Sequence, residues 1–183
     1  MHSIEDRAFS KQLEGDILLF FDDPSAIDSY VDAANCYKKN GKLAQATAIY
    51  EHLVLLFPDN TEFIMHLAKL YNTLNLSTRI VLSTQRLIEP IIQANNITTL
   101  QKALEYIIPI LNKEEQITIY QTTLFAMLKY DPDNAEIILS LMQKILKTLR
   151  KSKDQLKNFI HKIGLIDKDY QQEAIQISKK ILP

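Results

Sequence analysis

Histidine and cysteine are the side chains most apt for chemistry, and this chain has four of the first and one of the second. His2, His52, His66 and His161 stand far apart, with no H-E-x-x-H pair, no Cys/His ligand spacing and no G-x-S-x-G nucleophile turn. Cys36 lies between Asn35 and Tyr37 with no histidine or second cysteine beside it. It reads as a small packing residue, and no intrachain disulfide can form. The acidic pairs Asp22-Asp23 and Glu114-Glu115 precede helix-patterned runs, where negative charge favours a helix start. These residues point away from catalysis and imply no cofactor or metal.

Cations are the other grouped chemistry. Lys144, Lys147, Arg150 and Lys151 fall at i, i+3, i+6 and i+7 on a helix whose other face is Ile138, Leu141, Ile145 and Leu149. Such a row could hold phosphate groups or an acidic partner, the acidic N-terminal half of another copy included. It also has the form of an ordinary solvated face with cations near a helix C-terminus. No aromatic residue is interleaved to stack bases, which argues against nucleic acid as the partner. A nucleic-acid-associated regulator using these C-terminal helices is kept as an alternative function.

The elements that carry these residues are helical. The chain has 183 residues with three glycines and no tryptophan, far below the roughly 7% glycine of an average protein. Tight β-turns and phosphate-cradling loops lack their residues, so all-β and Gly-loop nucleotide folds are excluded. Net charge is −1, but residues 1–143 hold 11 Lys+Arg against 18 Asp+Glu, while residues 144–183 hold 10 against 4. The longest apolar run near the N-terminus, Ile17 to Phe21, is too short to span a bilayer and has acidic flanks. Neither a signal peptide nor an anchor is read, and the lone cysteine suits a reducing, cytoplasmic compartment.

Apolar residues recur with helical period almost throughout. Phe9, Leu13, Ile17 and Phe20 follow a capping-box start at Ser3 to Asp6, predicting a first helix over 4–21 that Gly15 weakens locally. Asp23-Pro24 then reads as N-cap and first helical residue of a helix that Gly41 stops after Asn40. Further helices are expected at 43–57, 61–74, 78–93, 97–111, 114–130, 135–150, 153–163 and 168–181, with short connections that make neighbours antiparallel. No Gly/Ser linker divides the chain, so one domain over 1–183 is expected. Pro58-Asp59-Asn60-Thr61-Glu62 returns as Pro132-Asp133-Asn134-Ala135-Glu136, 74 residues on or two units of 37, with Asn or Asp placed to cap the following helix.

Residues 27–60 carry a more specific pattern. Tyr30, Ala33, Ala34 and Tyr37 stand on the first helix, Gly41 at the turn, Ala46, Tyr50 and Leu53 on the second, and Pro58 at the exit. In this pattern the segment resembles one tetratricopeptide repeat, the 34-residue helix-turn-helix unit, with Leu53 where that family usually keeps a small residue. Residues 61–96 match in the first helix through Ile64, Leu67, Ala68 and Tyr71, with Asn75 in place of the turn glycine, Ile80 at a normally small position and Pro90 early. Residues 97–134 keep the period through Leu100, Ala103, Leu104, Ile107, Ile108 and Leu111, and Pro109 should kink or end that helix. Residues 135–183 would form a degenerate pair over 135–163 and a capping helix over 168–181, and residues 1–23 an N-terminal helix.

The resemblance implies an all-α, right-handed superhelix of antiparallel helix pairs whose first helices line a concave groove. In such a groove the family binds a partner peptide or helix. The stripe left free by the core residues comprises Asp28, Val31, Asp32, Asn35 and Lys38, then Glu62, Met65, His66, Lys69 and Asn72, with Gln101, Lys102 and Glu105 beyond. This is a mixed-charge surface with Val31 and Met65 as apolar contacts, or else exposed helix, or a groove filled by the N-terminal helix. Only Asn35 fits the clamp by which some co-chaperones of the family hold a C-terminal carboxylate, so that ligand is not expected. The resemblance implies a non-enzymatic adaptor or scaffold, with a chaperone for secreted or effector proteins as an alternative. In the closing helix, Ile175, Ile177 and Ile181 could cap the core or form a homo-oligomer seam.

Overall fold

The structure, a computed structural model, describes residues 4–181, with side chains from Arg7 onward. Among these residues it is all-helical. The ten α-helices are α1 (Ile4–Phe20), α2 (Ala26–Lys39), α3 (Leu43–Leu56), α4 (Thr61–Thr73), α5 (Ser77–Gln93), α6 (Ile97–Ile107), α7 (Lys113–Tyr130), α8 (Ala135–Leu149), α9 (Lys153–Gly164) and α10 (Lys168–Ile181). Chain neighbours pack on one another: α1 on α2, α2 on α3, α3 on α4, α7 on α8, and α10 on both α8 and α9. None of the described helices is long and apolar enough to cross a membrane.

Two compact units result. One runs to Ile80 and includes Gln101–Ile107; the other comprises Val81–Leu100 and Ile108 onward. The division falls inside α5 and α6, which is why composition carries no linker to mark it.

In the first unit, alanines let helices approach and tyrosines fill what remains. Ala33, Ala34, Ala46 and Ala68 are buried together with Tyr30, Tyr37, Tyr50 and Tyr71. α1 joins through its small face. A Cβ on Gly15 would stand 2.9 Å from Tyr30 Cδ1, so glycine is what lets this helix lie against the buried ring. The Tyr30 hydroxyl donates to Asp16 Oδ1 at 2.7 Å and the Tyr37 hydroxyl to Gln12 Oε1 at 3.2 Å. Burial, with the Asp16 carboxylate beside it, pushes the Tyr30 phenol up to about 12. The Phe9, Leu13, Ile17 and Phe20 stripe consequently faces solvent.

The second unit is packed by aliphatic and methionine side chains: Ile119, Leu124, Met127, Ile138, Met142 and Ile145 are all fully buried. Phe125 meets Phe159 with ring centroids 6.1 Å apart, tying α7 to α9. Tyr170 on α10 donates to the Pro132 carbonyl at 2.8 Å.

Helix ends bear out some expectations and correct others. Gly41 has φ +71°, and Asn75, where the turn glycine is replaced, has φ +57°; Asn95 repeats the device at +55°. The left-handed position is thus kept while its residue changes. The N-cap of α2 is Ser25, two residues beyond the expected Asp23. Asp23 instead accepts from the Ser25 backbone N–H at 2.9 Å and its hydroxyl at 2.6 Å, closing an Asx turn that Pro24 shapes. Asn60 caps α4 by accepting from Glu62 and Phe63 N–H. Its echo Asn134 occupies the N-cap position of α8 without a capping bond, its amide turned to Asp131. Glu115 completes a capping box with Asn112 on α7. α6 stops at Ile107, short of the expected 111, because Pro109 brings in a 3-10 turn over Ile108–Ile110. Ser3, expected to cap α1, lies outside the described residues.

Candidate partner-binding groove

α2 and α4 each divide into a packed face and an accessible one. On α2 the packed face holds Ala26, Tyr30, Ala33, Ala34 and Tyr37; on α4 it holds Phe63, Ile64, Leu67, Ala68 and Tyr71. The 3.6-residue period sends the expected stripe to the other side. Asp28, Asp32, Glu62, His66, Lys69 and Asn72 are exposed, and Val31, Asn35, Lys38 and Met65 are half-buried. All ten lie in the first unit, and α1 leaves each of them accessible. Gln101, Lys102 and Glu105 belong to the same unit and are also exposed.

The two stripes meet electrostatically at His66. Its ring sits 5.0 Å from that of Tyr50 on α3. Partial burial holds the imidazole below its ordinary 6.5; the Lys38 ammonium of α2 adds to this, Glu62 opposes it, and Lys69 contributes least. A neutral His66 at pH 7 can both donate and accept a hydrogen bond, while Lys38 and Lys69 can donate to a carbonyl or carboxylate. Val31 and Met65 are the apolar members of the two stripes, both half-buried.

Tyr50 was not singled out as a groove residue, although its position on α3 opposite α4 makes its ring the support of His66. Farther along, Tyr71 donates to Glu51, which also pairs with Arg79 at 3.2 Å. Burial, and then that carboxylate, push the Tyr71 phenol up to about 12. His52 is exposed and meets Tyr30 edge-on at 5.4 Å; His161 is exposed on α9; His2 lies outside the described residues. Among the described residues no group of His, Cys, Asp or Glu is arranged to hold a metal. Cys36 is half-buried on α2.

The basic row forms a second cluster, in the other unit. Lys147, Arg150 and Lys151 line a cleft of about 410 Å³ with Lys113, Gln116 and Tyr120 of α7, and Lys144 sits over the Tyr120 ring at 5.4 Å. Among the described residues no carboxylate lines it. Lys113 and Tyr120 were missed, although the four-residue connection before α8 makes the start of α7 and the end of α8 neighbours.

The class that the fold defines is all-α among the described residues, with helices packed in neighbouring pairs and an accessible stripe on two of them. The chain matches no protein-family model, no curated protein and no solved structure.

Proposed function

We propose that the chain is a tetratricopeptide-like interaction module, a non-enzymatic adaptor that receives a partner peptide or helix along α2 and α4. The observation that carries this reading is the open stripe itself, ten residues on two helices of one unit, all accessible. The repeat-like placement of Tyr30, Ala33, Ala34, Tyr37 and Gly41 supports the superhelical form. Affinity would come chiefly from Val31 and Met65, and register from Asn35, Lys69 and Asn72.

The test is the double substitution Val31→Glu, Met65→Glu. Partner capture from the native cell should fall by more than about tenfold, with helical circular dichroism and melting unchanged. Photo-crosslinks from the wild-type groove should map to one partner segment. Undiminished capture by the folded double variant would defeat the groove reading.

A further inference from the structure

We propose that the outward face of α1 is a second docking surface, taking an amphipathic helix with basic residues along its flanks. Phe9 is 62% exposed, Leu13 48%, Ile17 51%, Phe20 81% and Phe21 72%. The three phenylalanines alone leave roughly 400 Å² of apolar surface in water. A patch of that size is commonly functional on a monomer. With Leu13 and Ile17, a matching helix would bury about 1,200 Å² over both partners, the lower end of specific interfaces.

The outward orientation is held in place. Gly15 against the Tyr30 ring, together with the bonds from Tyr30 to Asp16 and from Tyr37 to Gln12, fixes the rotation of α1 on α2. The stripe cannot turn inward without breaking all three. Its spacing of i, i+4, i+8 and i+11 keeps the four side chains on one helix face, an apolar stripe that another helix can cover.

Charge selects the occupant. Residues 1–32 carry eight Asp and Glu against Arg7 and Lys11, and since Lys11 and Glu14 pair with each other at 2.6 Å, seven acidic residues stand against Arg7 alone. Asp16 borders the stripe on one side, and Asp22 and Asp23 follow its open end. Acidic groups beyond a helix C-terminus oppose the dipole, and the last turn of α1 has no basic residue to offset them. The same two groups precede α2, whose start they favour, and they add to the negative field that a basic partner would meet at the open end of the stripe. A second copy of α1 would set acidic edges against each other, and an anionic bilayer would be repelled.

The experiment measures fluorescence anisotropy of a labelled amphipathic Leu/Lys peptide of about 18 residues, about five turns, against the full chain. Binding should weaken about tenfold when the peptide's lysines become glutamates, and again when its leucines become serines. Ile17→Ser with Phe20→Ser should lose about tenfold in affinity, whereas Leu165→Ser, 73% exposed in the other unit, should lose nothing. Phe20→Ser with Phe21→Ser, at the open end of α1, gives the same reading should the first pair lower helicity. Equal binding of the Leu/Glu or Ser/Lys peptide, or full binding by both folded variants, would overturn the proposal. So would a wild-type dimer in sedimentation that either variant dissolves, since a second copy would then be the occupant.

Discussion

The two units are built from different materials. In the first, four alanines and four tyrosines interlock, and three phenol groups reach polar partners on another helix: Tyr30 to Asp16, Tyr37 to Gln12 and Tyr71 to Glu51. In the second, isoleucine, leucine and methionine fill the space between α7 and α8. An alanine at a close helix approach and a tyrosine with its hydroxyl aimed at one acceptor have few substitutes, so they leave a specific pattern in the sequence. Aliphatic packing tolerates exchange at constant volume and leaves only the period. The surfaces differ as well, acidic around α1 and α2 and basic along α8.

The largest effect that tests this contrast is in the cores. Tyr50 is 1% exposed and Met142 fully buried. Tyr50→Ala should cost about 3–5 kcal/mol, as truncation of a large aromatic does, whereas Met142→Leu should cost less than about 1.5 kcal/mol. Urea unfolding of the two variants beside the wild type decides it. A Met142→Leu penalty as large as that of Tyr50→Ala would show the second core to be as position-specific as the first.

The same contrast explains what could be read in advance. Helix positions were legible nearly everywhere, because period and turn residues are local: Gly41 and Asn75 stand in the left-handed turns expected of them. The accessible stripe on α2 and α4 was legible for the same reason. The cap of α2 was misplaced because Asp23 has two local uses, N-cap or Asx turn, and Ser25 competes for the first. The outward face of α1 was not legible at all. A helical apolar stripe has the same spacing whether it meets the core or water, and what decides between them is Gly15 against a tyrosine fifteen residues later. Hydrogen bonds over 14, 20 and 25 residues, such as those of Tyr30, Tyr71 and Tyr37, have no sequence signal. Lys113 escaped notice beside the basic row because it is more than thirty residues from it.

Glycine substitution gives a smaller effect and a sharper one. Ala gains about 1 kcal/mol over Gly in a helix interior, where Gly15 lies, and less at a helix end, where Gly164 closes α9, so each replacement should stabilise unless space forbids it. At Gly15 the new methyl meets three atoms of a buried ring at 2.9–3.0 Å, and Tyr30 has nowhere to go. Gly15→Ala should therefore be destabilising by about 1 kcal/mol net, the overpacking cost exceeding the propensity gain. At Gly164 the obstruction is closer, 2.2 Å, but it is the end of the Gln171 side chain, whose bond to the Ile160 carbonyl is long at 3.4 Å. That amide can swing into solvent, and Gly164→Ala should stay within about 0.5 kcal/mol of wild type. Thermal melts of the pair separate rigid packing in the first unit from yielding packing in the second; the reverse order would contradict the account given of α1.

The smallest effect bears on whether α2 and α4 form one site. The His66 imidazole is held below its ordinary 6.5 in the fold, so the unfolded chain binds its proton more readily. The sign follows: this group's contribution to stability is complete above about pH 6.5 and is lost as pH falls from there through the depressed folded value. His66→Asn should flatten that part of the stability profile between pH 7 and 5. Burial is the main cause of the depression and Lys38 the next, so Lys38→Met should move the His66 titration, followed by NMR, upward while leaving it below 6.5. A titration unmoved by Lys38→Met would mean that the cation on α2 does not act on the imidazole on α4. The ten accessible residues would then be two helix surfaces, each on its own, and a partner segment would have no reason to bridge them.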